Sequence, residues 1–237
     1  MNNKTYTLTK SKYIKGLQCE KALWLDTYAR NKGMFTSETN AKLDAGKDFE
    51  AKFKATFPTG INLKAKSGLT INNYPTETTS LLQKEEITIF EAGFLHEKTL
   101  VLTDVLQKIS EAVTIYEIKN STRLTNVILQ DLSVQYYVVS AVLGKKLKSF
   151  KVVLNNGKTL NSFSKLFWSS QKVRNKNFMI IDMTDVLQNN QEKVRVNLEK
   201  FQQIVSNKYK CPEKEIGEHC KYPHNCEFQE FCKRDEL

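Results

Sequence analysis

An acid and a lysine stand two positions apart near the end of the apolar stretch VTIYEIKNST, residues 113–122. Since side chains alternate along a strand, Glu117 and Lys119 share one of its faces. Taken alone, the pair fits an edge strand whose two charges form a weak ion pair in solvent. A second acid changes this interpretation, because Asp104 lies on an otherwise apolar face of the strand-like run TLVLTDVLQ. A buried carboxylate at that position needs a partner or a cation.

The spacing of these residues predicts a site for a divalent cation. The chain between Asp104 and Glu117 is long enough to turn back and bring both carboxylates together on neighbouring strands. Two converging carboxylates repel each other unless a cation lies between them, and Mg²⁺ or Mn²⁺ suits a carboxylate-rich site completed by water and phosphate oxygens. Lys119 would lie near the metal-bound water, where its charge lowers the pKa of that water or stabilises the phosphate.

The helix predicted over LTNVILQDLSVQYYVVSAVLG places Gln135 within a stripe of apolar side chains. A buried glutamine must find hydrogen-bond partners, so Gln135 bonds either to the sheet backbone or to a catalytic group or water. The sequence leaves both roles open. The two tyrosines that follow fit packing better than base stacking, although aromatic side chains do bind single strands in this way.

The order of these residues resembles the PD-(D/E)XK nuclease superfamily, most of all its RecB-like branch. The shared features are an aspartate, Glu-x-Lys at the end of the next strand, and a helix with Gln followed by Tyr. The resemblance implies that Asp104 and Glu117 are metal ligands and that Lys119 is the catalytic lysine. It further implies a catalytic role for Gln135, and Tyr137 is then a candidate substrate-binding residue.

Two more acids are candidate metal ligands. The first motif of the RecB-like branch lies on a preceding helix, where a glycine is often followed four residues later by histidine. Here GKDFE offers Glu50 four residues after Gly46, with Asp48 as the alternative, and the histidine is absent. Glu91, in EITIFEAGF, is another acid on an apolar strand. Glu91 is either a member of the site or an edge-strand glutamate, and the sequence slightly favours the edge-strand role.

The five cysteines are unevenly distributed, with Cys19 near the start and the other four after residue 210. An odd number of cysteines argues against a disulfide framework and for a metal or a cluster. Zinc and iron–sulfur sites both use thiolates, and His219 and His224 in the same C-terminal segment keep zinc open.

The arrangement of one cysteine before the nuclease motifs and three after them resembles that of the RecB-like nucleases that carry a 4Fe-4S cluster. These include the CRISPR-associated iron–sulfur exonuclease and the AddB nuclease domain. The resemblance implies a cluster that joins the two ends of the chain through four ligands, Cys19, Cys220, Cys226 and Cys232, and leaves Cys211 over. The stretches KSKYIKGLQCEKALWL and GEHCKYPHNCEFQEFC also resemble those of an uncharacterised bacterial family.

The composition indicates a globular chain with a basic surface. Its 237 residues are 40% hydrophobic, and 36 Lys and Arg against 26 Asp and Glu give a net charge of +10. Such an excess favours a polyanionic partner, above all nucleic acid, although it also suits solubility alone. No apolar run approaches the roughly 20 residues that span a bilayer. The first residues lack the apolar stretch of a signal peptide, so we expect a cytoplasmic protein with no membrane partner.

The order of elements predicts a single α/β domain with a mixed central sheet flanked by helices, in a restriction-endonuclease-like core. We expect an N-terminal segment over 1–40, the core and a helical part over 41–206, and a cysteine-rich segment over 207–237. The pattern of apolar residues predicts three strands joined as antiparallel hairpins, at 86–94, 99–107 and 113–119. It also predicts later strands in SFKVVLNNG and FMIIDMT, and helices over 10–30, 40–57, 124–144 and the stretch TDVLQNNQEKVRVNLEKFQQIVSN.

Together the motifs predict a metal-dependent nuclease, which we expect to be an exonuclease on single-stranded or end-containing DNA. Mg²⁺ or Mn²⁺ would be held by Asp104 and Glu117 and assisted by Lys119. The alternative is a nuclease-like fold that binds nucleic acid or scaffolds a partner without cutting, with a cluster that responds to redox state. The complete set of acids and lysine favours the enzyme, and the missing histidine favours the alternative.

Overall fold

The computed structural model describes residues 6–34, 38–156, 172–174 and 177–235. These residues contain eight strands: β1 (Leu8–Thr9), β2 (Ile61–Asn62), β3 (Glu86–His96), β4 (Thr99–Ile109), β5 (Ala112–Lys119), β6 (Leu147–Asn155), β7 (Lys172–Arg174) and β8 (Phe178–Asp182). Seven of them form one open sheet in the order β2-β3-β4-β5-β6-β8-β7, and β1 pairs with β4 beside this path.

The described residues also form eight α-helices: α1 (Lys10–Gln18), α2 (Glu20–Tyr28), α3 (Glu38–Lys54), α4 (Tyr74–Leu81), α5 (Asn126–Leu143), α6 (Thr184–Gln188), α7 (Gln191–Ser206) and α8 (Gln229–Asp235). The helix predicted over 10–30 is two helices, because Cys19 adopts an extended conformation between them. The Cys19 Sγ accepts the N–H of Ala22 in the first turn of α2. Gly144, with a φ of 53°, ends α5 as the sequence predicts.

The sheet is mixed, as predicted. Strands β3, β4 and β5 pair as antiparallel hairpins, whereas β6 runs parallel to β5 after the crossover through α5. Strand β8 then returns antiparallel to β6. This arrangement confirms the α/β class with helices flanking a mixed sheet. The elements that the sequence did not predict are the short β1, β2 and β7 and the helices α4 and α8, and the helical stretch predicted over TDVLQNNQEKVRVNLEKFQQIVSN is two helices, α6 and α7.

Helices cover both faces of the sheet. On one face α5 packs Leu132 and Val139 into a core with Ile115. On the other, α3 packs Phe49 and Phe53 into a separate cluster that includes strand residues of β3 to β6. Burying each of these large side chains contributes about 1.5–3 kcal/mol. The two clusters fix α3 and α5 on either side of the central strands, where α3 supplies Glu50 and α5 supplies Asp131.

One edge of β4 is shared by two strands. Because β3 pairs with β4 from Thr99 to Ile109, β1 and β5 must lie along the opposite edge. There β1 pairs with Thr99 and Leu100, and β5 pairs from Val105 onward. Between these two stretches β4 has no strand partner on this edge within the described chain. Asp104 lies at the end of that gap, next to the point where β5 leaves β4.

One described stretch, Asn126–Lys146, is long and apolar enough to cross a membrane by length and composition. The apolar pattern of the sequence predicts no run of this length. The stretch consists mainly of α5, which packs against β3, β4, β6 and α7. Core helices of this kind meet the same criterion.

Candidate active site

Three carboxylates converge around Asp104 of β4. One oxygen from each of Glu50, Glu91 and Asp104 lies within 4.8 Å of the others. They come from α3, β3 and β4. Oxygen ligands of one Mg²⁺, at about 2.1 Å from the ion, are at most about 4.2 Å apart, so a small side-chain rotation closes the set. The group therefore suits a hard divalent cation.

Glu91 has an unusual backbone for a strand residue. Its φ is 59°, in the left-handed region that non-glycine residues rarely adopt. The pairing of Phe90 with Val105 and of Ala92 with Thr103 places Glu91 across from Asp104. Strained residues of this kind concentrate at functional sites. This backbone and the position across from Asp104 distinguish Glu91 from an ordinary edge-strand glutamate.

Lys54 lies between two of these acids. Its Nζ donates to Glu50 Oε1 at 2.5 Å and to Glu91 Oε1 at 2.7 Å. Burial by itself would lower the pKa of Lys54, but the hydrogen bonds from its ammonium to the two carboxylates outweigh burial and raise it. The carboxylates therefore already stabilise one positive charge at this point.

Asp104 is held by the neighbouring strand, because its Oδ2 accepts the Ile118 N–H at 2.6 Å. Desolvation and the nearby Glu117 carboxylate raise the pKa of Asp104 to about 8, although Lys10 and Lys119 act in the opposite direction. The metal-free side chain therefore holds its proton more tightly than an exposed aspartate does. A cation must displace this proton to use Asp104 as a ligand.

A second cluster of charged side chains lies beside the three carboxylates. Glu117 is fully buried, and its Oε1 accepts from Lys119 Nζ at 2.7 Å and from Lys10 Nζ at 2.8 Å. Asp131 Oδ2 lies 2.6 Å from Lys119 Nζ and 3.7 Å from Lys10 Nζ. Gln135 Nε2 donates to the same Asp131 oxygen at 3.3 Å. Two carboxylates and two ammonium groups thus form a compact array between β5, α1 and α5.

The array fixes the charge state of its members. Burial alone would raise the pKa of Glu117, but the two lysines outweigh it and lower the pKa to about 2. Burial likewise opposes the charge on Lys119 and Lys10, yet the surrounding carboxylates raise the pKa of both lysines. Both ammonium groups are therefore permanently charged near neutral pH. They can stabilise negative charge but cannot act as general bases.

Two buried oxygens of the site, Glu117 Oε2 and Gln135 Oε1, have no hydrogen-bond partner among the described residues. Leaving such an atom unpaired costs about 1–3 kcal/mol. In each residue one polar side-chain atom is hydrogen-bonded to a neighbouring side chain, and the unpartnered oxygen is available to a ligand. The available oxygens are of the type that binds a hard cation or an ordered water.

The structure brings most of the predicted residues together. Glu50 joins Glu91 and Asp104, whereas the alternative Asp48 is exposed. Glu117 and Lys119 lie beside this group, but Glu117 is not one of the three acids that meet the 4.8 Å distance. Gln135 bonds to a side chain of the site rather than to the sheet backbone.

Tyr137, the predicted substrate contact, has a different environment. Its hydroxyl donates to Glu97 Oε2 at 3.0 Å, beside the turn between β3 and β4. Burial and the hydrogen bond to Glu97 raise the pKa of Tyr137 to about 12. Tyr136 packs with its ring 5.9 Å from that of Phe150. These contacts give both tyrosines packing roles.

Three residues of the site were not predicted from the sequence. Asp131 carried a usable signal, since it is the one acid of α5 and lies four positions before Gln135, on the same helix face. Lys54 similarly lies four positions after Glu50. Lys10 had no local signal, because it is 107 positions from its partner Glu117 and meets it only through the fold.

Four cysteines line one small cavity between the start of α2 and the C-terminal segment: Cys19, Cys220, Cys226 and Cys232. Cys211 is not among them, and none of the five forms a disulfide. Burial raises the pKa of the Cys226 thiol to about 11, and the neighbouring Cys19 and Cys220 add to the increase. The chain thus brings the predicted cysteines to one place.

The four cysteine sulfurs are not closely grouped. Within the described chain, no three cysteine sulfurs lie within 4.8 Å of one another. Four thiolates around one zinc ion, at about 2.3 Å from it, would be about 3.8 Å apart. The four sulfurs therefore lack the close grouping of thiolates around a single ion within the described chain.

No protein-family model matches the chain, and no curated protein matches its sequence. The site is therefore defined by its own geometry.

Proposed function

We propose that this protein is a metal-dependent nuclease with a PD-(D/E)XK-like core that hydrolyses phosphodiester bonds of DNA. The observation that carries the proposal is the convergence of Glu50, Glu91 and Asp104 within 4.8 Å of one another, beside a permanently charged Lys119. Carboxylates that bind a cation next to a fixed ammonium suit a reaction in which negative charge builds on a phosphate.

The charges of the site leave room for one divalent cation. When all groups are ionised, five carboxylates meet three ammonium groups, namely Glu50, Glu91, Asp104, Glu117 and Asp131 against Lys10, Lys54 and Lys119. The excess of two negative charges equals the charge of Mg²⁺ or Mn²⁺. A bound ion of this type lowers the pKa of its water and polarises a phosphoryl oxygen.

The residues of the chain have separable tasks in this proposal. The three converging acids bind the cation, with Glu117 Oε2 as a further oxygen ligand. Lys119 stabilises the charge that develops on the phosphate, and its raised pKa keeps it protonated throughout. The net charge of +10 favours the approach of a polyanion such as DNA. Single-stranded or end-containing DNA remains the expected substrate.

We further propose that the four cavity-lining cysteines hold a 4Fe-4S cluster that ties the start of α2 to the C-terminal segment. Anaerobically purified protein should contain about four irons per chain with a broad absorption band near roughly 400 nm. Replacing Cys232 with Ser should reduce the iron content, whereas replacing Cys211 with Ser should leave it unchanged. One zinc per chain and no iron would exclude the cluster but not the carboxylate site.

The nuclease proposal predicts Mn²⁺-dependent cleavage of end-labelled DNA by the full chain. We expect Glu50→Gln to lose at least about 100-fold in rate, as does removal of other groups that stabilise a transition state. Lys119→Ala should lose a similar amount without losing Mn²⁺. Single- and double-stranded substrates assayed side by side would identify the preferred form of DNA.

A matched control is Asp48→Asn, since Asp48 is an exposed acid on the same helix as Glu50. It should cleave at the wild-type rate. Full activity of Lys119→Ala would contradict the proposed site. A wild-type protein that binds both DNA and Mn²⁺ but never cuts would instead support the alternative, a non-cleaving nucleic-acid-binding protein.

A further inference from the structure

Lys10 reaches the site from a distant part of the chain. It is the first residue of α1 and directly follows β1, which pairs with the same edge of β4 as β5 does. The helix α1 therefore begins beside the gap that contains Asp104. From there Lys10 Nζ donates to Glu117 Oε1 at 2.8 Å. The position of this lysine is set by β1 and not by the motifs around Glu117.

Lys10 completes a set of contacts that leaves Glu117 little freedom. Lys119, two positions after Glu117 on the same strand, donates to the same Oε1, so one carboxylate oxygen has two ammonium donors. The other oxygen, Oε2, is buried and has no partner among the described residues. The carboxylate is thus oriented by one oxygen while the other stays available.

Asp131 makes this arrangement electrostatically possible. Two ammonium groups on one oxygen repel each other, and Asp131 balances them from the facing helix, at 2.6 Å from Lys119 Nζ and 3.7 Å from Lys10 Nζ. Gln135 orients Asp131 in turn through its Nε2. Groups that orient a ligand in this way commonly change activity when they are removed.

We propose that Lys10 and Asp131 are positioning residues of the site, which together fix the orientation of Glu117 and Lys119. This inference rests on the proposed nuclease function. It adds to the Asp104, Glu117 and Lys119 set a lysine from the N-terminal helix and an acid from α5. The site then requires α1 in place, in addition to the sheet.

The other end of α1 is also fixed. Gln18 Nε2 donates to the carbonyl oxygens of His219 and His224, each at 2.7 Å, and Lys15 forms an ion pair with Glu227. Cys19 follows immediately. The helix thus connects the cysteine-bearing C-terminal segment to Glu117, and both contacts at its far end help to hold Lys10 in position.

The test compares Lys10→Met with Lys12→Met on the same helix, since Lys12 Nζ donates to Thr27 Oγ1 at 3.1 Å. We expect Lys10→Met to lower kcat at least tenfold with KM for DNA within twofold of wild type. Its affinity for Mn²⁺, measured by electron paramagnetic resonance, should be unchanged or tighter because a nearby positive charge is gone. Lys10→Arg should recover part of kcat, and Lys12→Met should match wild type.

The outcomes separate this inference from the nuclease proposal. An unchanged kcat in Lys10→Met, or a loss of Mn²⁺ binding together with the fold, would overturn the positioning role. If wild-type protein binds Mn²⁺ but cuts nothing, the nuclease proposal fails. In that case the spectrum of bound Mn²⁺ tests the positioning role on its own. A spectrum that differs from wild type in Lys10→Met but not in Lys12→Met would support the role, and identical spectra in all three proteins would overturn it. A wild-type protein without Mn²⁺ binding would overturn both.

Discussion

Replacing Asp104 with Asn is expected to abolish cleavage and at the same time to stabilise the metal-free protein at alkaline pH. Asn keeps the shape of the side chain, and its Oδ1 can still accept the Ile118 N–H that Asp104 accepts now. It cannot carry the charge that a divalent cation requires. We expect a loss of about 100-fold or more in rate, because a ligand of the reacting centre is removed.

The effect on stability follows from the pKa of Asp104. Desolvation and Glu117 raise this pKa from 3.8 to about 8 in the folded protein, whereas the unfolded chain keeps the ordinary value. Between these values the folded state binds the extra proton. The free energy of unfolding of the wild type therefore falls as pH rises from about 4 to 8. The Asn variant has no such loss, so its advantage should be largest above pH 8.

Thermal unfolding from pH 5 to pH 9, with chelator and with Mn²⁺, would measure this effect. Mn²⁺ at 100 times its Kd should stabilise wild type by about 2.7 kcal/mol and Asp104→Asn by far less. The surface variant Asp48→Asn is the matched control and should follow wild type in both conditions. A variant that is less stable than wild type at pH 9 without metal would contradict the raised pKa.

Much of the fold was predictable because its strongest signals are local. The three hairpin strands, the helix that ends at Gly144 and the α/β class all follow from short-range periodicity and turn residues. The break at Cys19 was missed, since a helix is interrupted there by side-chain capping rather than by Gly or Pro. Strand β1 has only two residues and no periodicity at all.

The candidate site was predictable only where its residues lie on adjacent elements. Glu117 and Lys119 share one strand face, and Asp104 lies on the neighbouring strand, so alternation and hairpin geometry place them together. Glu91 could not be assigned, because its role depends on a left-handed backbone that no local pattern reveals. Lys10 lies in the N-terminal helix, and only the pairing of β1 with β4 explains why it reaches Glu117.

Replacing Gly16 with Val is expected to impair the site from a distance. A Cβ at Gly16 would lie 2.8 Å from Phe201 Cε2 in α7, closer than side chains can approach. Phe201 is only 2% exposed, so its ring has little room to move. We expect overpacking to cost about 2 kcal/mol, which lowers Tm by about 4–8 °C in a chain of this size.

The displaced helix should also reduce cleavage, because Lys10 lies six positions before Gly16, about 9 Å along the helix axis. We expect kcat to fall about tenfold, the loss expected for Lys10→Met, because α1 moves away from α7 where the buried Phe201 ring cannot make room. The matched control is the double variant Gly16→Val with Phe201→Leu, in which the smaller side chain makes room for the added methyl groups.

A double-mutant cycle separates this overlap from a general loss of packing. If the clash is local, the loss of stability in the double variant should be smaller than the sum of the losses in the two single variants by about 1 kcal/mol or more. The kcat of the double variant should recover together with its Tm. Recovery of stability without recovery of kcat would show that the position of α1 does not control the site. Additive effects on both quantities would show that Gly16 and Phe201 are not in contact, and that α1 is held on α7 by other residues.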